Sequence, residues 1–482
     1  MQEIKKKIPI HIGLFGHIDS GKTAIAEILS EVISTAGIDA HPQSKERGIT
    51  IDLGFTSFII GDYIVTLVDG PGHADLIKIS ASSVEIIDLA LIVIDINKGP
   101  QVQTGEHVIM IEALGVKDII VVLNKIDLFK GDIEKEISKT KDFFRSTSYG
   151  FNIPIYPVSA KAKVGFEDLK IGLLKKIREL DLKRDTEGSV IFPIDHHFSI
   201  KGRGVIITGT LIKGKLKLNQ DLHILPVNES GKIKSMQIFH QDVSTAMAGD
   251  RLGINVKGVN VNKIYRGCIA TDNKKNFEYW NLIEVSVNKS NLFKPEIHFG
   301  SQVHVTSGMF TTAGNVYPFE EIKEKKIKLK TVKSKEPFKA FLWLNEKILI
   351  GKEKTFILLS RLDLPPTSLR IIGVAELKSI VKSPPEMHKY KIKKGFIQNP
   401  SHSQGIVVGG LAQSLNGAKK IIGKKLQAPF TRIVSTFGTK GLVIVGIDPT
   451  VNKSLLTKGE TVILKELRSF TLKSKKDLNV QT

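Results

Sequence analysis

The chain has a single cysteine, Cys268, and only two tryptophans in 482 residues. One thiol excludes an internal disulfide framework and any zinc site built from several cysteines. Long apolar runs are also missing, and none reaches the ~18 residues needed to cross a bilayer. The start, "MQEIKKKIPI", lacks an apolar segment of signal-peptide length. A soluble, cytoplasmic protein is the expectation. Acidic residues are scarce at one end only. Residues 1–184 carry 23 Lys and Arg against 25 Asp and Glu, residues 185–380 carry 29 against 19, and residues 381–482 carry 18 against 5. The net charge of +21 therefore lies in the later parts. A basic domain beside a near-neutral one is the electrostatic footprint of a nucleic-acid partner, although a solvated lysine face gives the same count. One core rarely grows beyond about 250–300 residues, so several domains are expected.

The informative stretches begin with "IPIHIGLFGHIDSGKTAIAEIL", a buried strand, a glycine-rich turn and a helix. Gly16 to Thr23 fits G-x-x-x-x-G-K-[ST]. In such a loop the backbone N–H groups of Gly16, His17, Ile18, Asp19, Ser20 and Gly21 are placed to wrap phosphates. Lys22 reaches the β/γ oxygens and the Thr23 hydroxyl serves Mg²⁺. "YIVTLVDGPGH" ends a strand at Asp69, placed like a Walker-B acid that holds Mg²⁺ through water, with Gly72 and His73 beyond it. "IIVVLNKID" ends in Asn124, Lys125 and Asp127, and "IPIYPVSAK" in Ser159, Ala160 and Lys161. An Asp carboxylate after Asn-Lys can accept from both N1–H and N2–H₂ of guanine, a donor pair that adenine lacks. Each motif sits at the C-terminal end of a short apolar strand, where ligands bind in open α/β sheets. The four in order describe a GTP-binding α/β domain with P-loop, over residues 1–184.

The forms "GHIDSGKT", "RGITI" and "DGPGH" resemble the translational GTPases of the elongation factor Tu family. That resemblance implies that Thr50 ligates Mg²⁺ and senses the γ-phosphate. It also implies that His73 positions the attacking water beside an apolar gate of Ile18 and Ile49. The family usually has His where this chain has Ser20.

From about residue 185 the helical pattern stops and strand-length alternation broken by Gly and Asn takes over, which fits β-barrels. Residues 185–275 read as one barrel and residues 276–383 as a second. In the family the first barrel helps hold the aminoacyl end of a charged tRNA, and the second contacts the tRNA. "FPIDHHFSIKGRGVIITG" resembles the family's P-I-E-D-x-F-S-I-x-G-R-G segment, with Asp195-His196 in place of Glu-Asp. "AGDRLG" stands where G-D-N-x-G is usual, so an Asn becomes Arg251. A pocket of Asp195, His196 and Arg251 favours an anionic side chain, with Asp195 expected to meet the α-ammonium. Selenocysteine is the non-carboxylate coded side chain that is anionic at neutral pH, its selenol being more acidic than a thiol of pKa about 8.5. Asp250 and a tRNA phosphate compete as partners of Arg251. His197 is read as a packing residue.

Past "KSPPE" the chain runs on through "GIVVGGL", "TRIVSTFGTKGLVIVGI" and "ETVILKELRSF", which fit a basic, β-rich, barrel-like domain over residues 384–470 and a polar tail over 471–482. Lys391, Lys393, Lys394, Lys424 and Lys425 are its candidate RNA contacts. Phe396, Phe430 and Phe437 read as core residues in preference to base-stacking ones. The whole chain resembles the selenocysteine-specific elongation factors of the SelB type, in their archaeal or eukaryotic form. That resemblance implies a GTPase using GTP and Mg²⁺, with selenocysteinyl-tRNA, the ribosome and a selenocysteine-insertion RNA element (directly or through an adaptor protein) as partners of a monomer. The gamma subunit of archaeal and eukaryotic initiation factor two is the competing reading, weakened by the lack of cysteines for its zinc insertion.

Overall fold

The computed structural model describes residues 7–29, 32–33, 54–69, 87–113, 115–200, 204–239, 241–308, 310–333, 336–351, 356–365 and 367–473. Two compact units emerge: Met1–Pro318 with Thr331–Lys382, and Phe319–Lys330 with Ser383–Thr482.

The first unit opens with a seven-stranded sheet. Its strands are β1 (Ile8–Gly16), β2 (Val32–Ile33), β3 (Gly54–Ile60), β4 (Tyr63–Asp69), β5 (Leu89–Asp95), β6 (Ile119–Asn124) and β7 (Ile155–Pro157), in the order 2-3-4-1-5-6-7. β1 runs parallel to both β4 and β5. β5 and β6 are buried at every position, as expected of parallel strands covered on both faces. Helices α1 (Lys22–Leu29), α2 (Val102–Ala113), α3 (Ile133–Phe144) and α4 (Phe166–Glu179) supply the cover. Ile25, Leu169 and Leu173 pack on one face with Ile12, Leu91 and Ile120. Val108, Ile111 and Phe144 pack on the other with Ile92, Ile94 and Val121. The order reverses beside β1, which opens a crevice at the C-terminal ends of β1, β4, β5 and β6.

Ten short strands follow: β8 (Phe192–Pro193), β9 (His196–Ile200), β10 (Gly204–Thr210), β11 (Lys215–Lys217), β12 (Asp221–Leu225), β13 (Glu229–Ile238), β14 (Gln241–Val243), β15 (Thr245–Met247), β16 (Arg251–Lys257) and β17 (Ile269–Thr271). The main path runs 8-17-12-13-16-10-9. Just past β8, the Asp195 N–H donates to Thr208 O on β10, which closes the path into a barrel. Its interior is apolar, built from residues such as Phe192, Ile207, Leu222, Ile254 and Cys268. The cysteine is buried and free, in keeping with a packing role.

The second barrel uses β18 (Phe277–Lys289), β19 (Ile297–His298), β20 (Ser301–Ser307), β21 (Phe310–Ile322), β22 (Lys325–Lys328), β23 (Thr331–Val332), β24 (Phe338–Gly351), β25 (Phe356–Ser360) and β26 (Ile371–Ile380). Strands 20-25-26-18-24-21 form a ring that closes by β20 pairing with β21.

The end of β21 and β22 belong to the second unit, where Ile327 pairs with His388. That unit adds β27 (Glu386–His402), β28 (Gly405–Gly409), helix α5 (Leu415–Lys419), β29 (Phe430–Phe437), β30 (Leu442–Ile447) and β31 (Thr461–Thr471). β31 lies along β27, and Leu426 bridges both to Leu464 on β31 and, beside the Lys425–Arg432 bridge, to β29. The result is barrel-like, around Ile397, Val408, Phe430, Ile433 and Leu464. The expectation of a core role holds for Phe430, which is buried, but Phe396 is 46% exposed. Phe437 is half-buried with its ring edge-on to His402. Beyond Lys473 the polar tail lies outside the described residues.

Candidate functional site

β1 ends in the phosphate-loop turn, and α1 begins at Lys22. Two glycines are dictated by space and by backbone angle. A Cβ on Gly16 (φ +147°) would lie 2.1 Å from Val93 O, and one on Gly21 (φ +92°) 2.2 Å from Asn124 Nδ2. Asp19 also adopts a positive φ of 61°. The Lys22 ammonium donates to Gly16 O at 3.3 Å and His17 O at 3.1 Å, so it rests over the loop's own carbonyls. Ser20 is buried, and its Oγ has no hydrogen-bond partner. Thr23, in the first turn of α1, is half-buried.

The base-side motifs are brought to the same crevice. Asn124 Nδ2 donates to Ser20 O at 2.9 Å, and its Oδ1 accepts from Ala160 N–H at 3.1 Å. One amide therefore ties the phosphate loop to the Ser159–Lys161 loop. Lys125, in the left-handed region at φ 68°, pairs with Asp95 Oδ2 at 2.9 Å. Ser159 donates from Oγ to Asp127 Oδ1 at 2.6 Å and accepts from Ala162 N–H at 2.9 Å. This bond orients the exposed Asp127 carboxylate. Lys161 is exposed at the rim. Asp69 ends β4, in register with Leu14 of β1, so its backbone stands beside the phosphate loop. Ile49, Thr50, Gly72 and His73 lie outside the described residues.

Helix α2 contributes residues that the motifs do not reveal. Gln103 Oε1 accepts from Ile18 N–H at 3.1 Å, and His107 Nδ1 accepts from Gly16 N–H at 3.2 Å. Burial, reinforced by the Lys22 charge, pushes the His107 pKa down to about 3, so the ring stays neutral and can accept. Glu106 accepts from Arg370 N–H at 3.0 Å and Nε at 3.1 Å, a buried pair that joins α2 to the second barrel. Gln103, Glu106 and His107 at i, i+3 and i+4 in a fully buried turn are the only sequence signal for this role. Asp95 has its signal in the adjoining "DINKG" turn.

The pocket residues also meet. Arg251 Nη1 donates to Asp195 Oδ2 at 2.6 Å, and His196 Nδ1 lies 3.2 Å from Asp195 Oδ1. Thr208, unmarked in the sequence reading, donates from Oγ1 to the same Oδ1 at 2.6 Å. Asp195 is buried, which would raise its pKa, but Arg251 and His196 hold the carboxyl well below the usual range. Both its oxygens are engaged within the chain. The hydrogen bond recorded for Asp250 runs instead to Met247 N–H, at 2.8 Å. His197, on β9 opposite Ile207, has its pKa lowered by burial and then by His196.

A phosphate loop, a guanine-type Asn-Lys-x-Asp turn and two following barrels define the class: a GTPase built like elongation factor Tu. Comparison with known families agrees. Residues 7–181 match the elongation factor Tu GTP-binding domain, residues 204–271 elongation factor Tu domain 2, and residues 280–381 domain III of the archaeal selenocysteine-specific elongation factor. A selenocysteine-specific elongation factor from Methanocaldococcus jannaschii is 39% identical over 473 residues, 96% of this chain and 98% of that one. One from Mus musculus is 38% identical over 340 residues, 65% of this chain and 57% of the other. The structure of elongation factor SelB from Methanococcus maripaludis with the GTP analogue GppNHp superposes with a TM-score of 0.81 at 35% identity, covering 96% of this chain and 99% of that one. The chain belongs to the family of selenocysteine-specific elongation factors. It is a GTPase that takes a guanine nucleotide. Among the described residues no helix is long and apolar enough to cross a membrane.

Proposed function

We propose that the protein binds selenocysteinyl-tRNA in its GTP form, delivers it to the ribosome at a recoded stop codon in the cytoplasm, and hydrolyses GTP there under ribosomal stimulation. The observation that carries the cargo reading is the Arg251–Asp195–His196 cluster beside β9, β10 and β16 of the first barrel. A guanidinium has five N–H donors in a fixed fork, so Arg251 can hold Asp195 on one side and present charge to a selenolate on another. Asp195 and Thr208 then act as positioning groups, and His196 adds a second polar edge. A seryl hydroxyl would offer the guanidinium a neutral acceptor in place of an anion, and hydrogen bonds to an ionised acceptor are roughly twice as strong as neutral ones.

For the nucleotide, the loop from Gly16 to Gly21 cradles phosphate through its N–H groups. Lys22 exchanges its carbonyl contacts for the β/γ oxygens, and Asn124, Lys125, Asp127, Ser159, Ala160 and Lys161 form the guanine side. Mg²⁺, when bound, supplies charge neutralisation between the phosphates. Thr23, Thr50 and Asp69 are the residues assigned to hold it, and the Thr23 hydroxyl at the start of α1 suits a hard cation. Ile18, Ile49, Thr50 and His73 are assigned to gating and water positioning. Phosphoryl transfer mainly needs this placement of charge and water rather than covalent chemistry. The basic second unit is assigned to RNA, directly or through an adaptor. Both units act within one monomeric factor, with residues 185–275 as the cargo barrel and residues 276–383 facing the tRNA body.

The test is protection of the aminoacyl ester from hydrolysis in GTP, comparing selenocysteinyl and seryl esters on the same tRNA body. Strong protection of the selenocysteinyl ester alone, lost in Arg251→Ala, is expected. Equal protection of both would place specificity in the tRNA body, and protection of neither would remove aminoacyl-tRNA as cargo.

A further inference from the structure

Beyond the residues that the family models match, the second unit carries an exposed stripe on which Phe396 stands. β27 and β31 pair antiparallel from Glu386↔Thr471 to Phe396↔Thr461. Directly opposed residues share a face, and alternate residues along each strand do too. One face therefore collects Tyr390 with Leu467, Ile392 with Lys465, and Lys394 with Ile463, and ends at Phe396. It is not covered. Tyr390 is 47% exposed, Ile392 51%, Phe396 46% and Leu467 37%. Tyr390 and Phe396 stand six residues apart, roughly 20 Å along an extended strand. Lys394 and Lys465 are exposed between them.

The other face shows that the ribbon is built to hold positive charge. Glu466, buried beside its cross-strand neighbour Lys391, accepts from Lys424 and from Arg468 at 3.1 Å, with Lys393 at 3.8 Å. These contacts hold the carboxyl below its usual range; the Lys424 hydrogen bond lowers it most, burial opposes, and Arg468 and Lys393 lower it further. One buried carboxylate thus orders several cations along a two-stranded ribbon.

Exposed aromatic rings separated by lysines on a sheet face make a surface that stacks bases and meets phosphates. A purely apolar partner would leave Lys394 and Lys465 desolvated without a counter-charge. Duplex RNA hides its bases and has no use for the rings. We propose that the β27–β31 face is a binding site for single-stranded RNA, with Tyr390 and Phe396 as stacking platforms and Lys394 and Lys465 as phosphate contacts. The proposal rests on the assignment of the second unit to RNA and is independent of the aminoacyl pocket.

The test uses the full-length protein with GTP and follows binding of an oligouridine strand and of a fully paired RNA hairpin by fluorescence anisotropy at several salt concentrations. The wild type is expected to prefer the single strand. Tyr390→Ala with Phe396→Ala should weaken that binding about 30-fold or more and leave the salt slope unchanged. Tyr390→Phe should retain binding, because the stacking ring stays and only the hydroxyl is lost. Lys394→Gln with Lys465→Gln should lower the salt slope by about 0.7 per charge removed. GDP affinity, read on every variant, should stay at the wild-type value. A wild type with no affinity for either RNA would overturn both the site and the assignment of this unit. Single-strand binding that survives the double alanine variant, or a hairpin bound as tightly as the strand, would overturn the site alone.

Discussion

His11, in the middle of β1, donates from Nε2 to the carbonyl of Gly249 across 2.7 Å. Gly249 lies two residues before Arg251, and β1 runs directly into the phosphate loop. Arg184 reinforces the contact, gripping Asp88 at 2.8 and 2.7 Å and reaching Pro9 O at 3.0 Å. A Cβ on Gly249 would meet Arg184 Nε at 2.6 Å. The strand that carries the nucleotide loop is thereby tied to the turn that opens β16. Replacing His11 by Phe keeps bulk but deprives the carbonyl of its donor. A loss of about 1–3 kcal/mol in chemical denaturation is expected.

His107 gives the GTP-binding domain a dependence on pH. Its folded pKa is about 3 against 6.5 for the free group. Between those values the unfolded chain binds the extra proton, so stability falls as pH drops below 6.5. The slope is about 1.4 kcal/mol per pH unit and levels off near the folded value. Denaturation at a series of pH values should show it, and His107→Gln should flatten the part just below 6.5.

Glu106 and Arg370 form an ion pair at 3.1 Å with side chains 2% and 3% exposed. Removing either partner takes this counter-charge from a buried group. Glu106→Leu or Arg370→Leu alone should each cost about 3–5 kcal/mol, whereas the double change should be much closer to neutral. A double-mutant cycle measures that coupling.

Gly21→Ala puts a methyl group against the Asn124 amide, at a φ that side chains rarely adopt. Strain of about 1–3 kcal/mol, taken up by the loop, lowers GDP affinity roughly 5- to 150-fold. Asn124→Ala, which loses both loop ties, should speed GDP release in the same direction. Stopped-flow release of a fluorescent GDP reads both.

The nucleotide motifs were legible because each is local: spacing within a few residues sets the turn, and the sheet brings strand ends together. Gln103, His107 and Arg370 were not, because their roles arise only when α2 packs between the phosphate loop and the second barrel. Asp195, His196 and Arg251 are legible through their segments, but Thr208 is not, because it reaches Asp195 only when β10 is in place beside it. Phe396 and Ile397 illustrate a different limit. Adjacent apolar residues on a strand point to opposite faces, so only one can enter the core, and it is Ile397. The excursion Phe319–Lys330, which joins the second unit, has no local signature, since it is fixed by the pairing of Ile327 with His388.

Recognition of charge by the Arg251 pocket is the decisive proposal. Its most direct test compares the affinities of cysteinyl and selenocysteinyl forms of the same tRNA, from near-neutral pH to above the thiol pKa of about 8.5. Discrimination should be strong at neutral pH, where only the selenol is ionised, and should shrink as the thiol ionises. Arg251→Ala should discriminate weakly throughout. A preference for selenocysteine that stays constant across that range, or that survives in Arg251→Ala, would contradict the account.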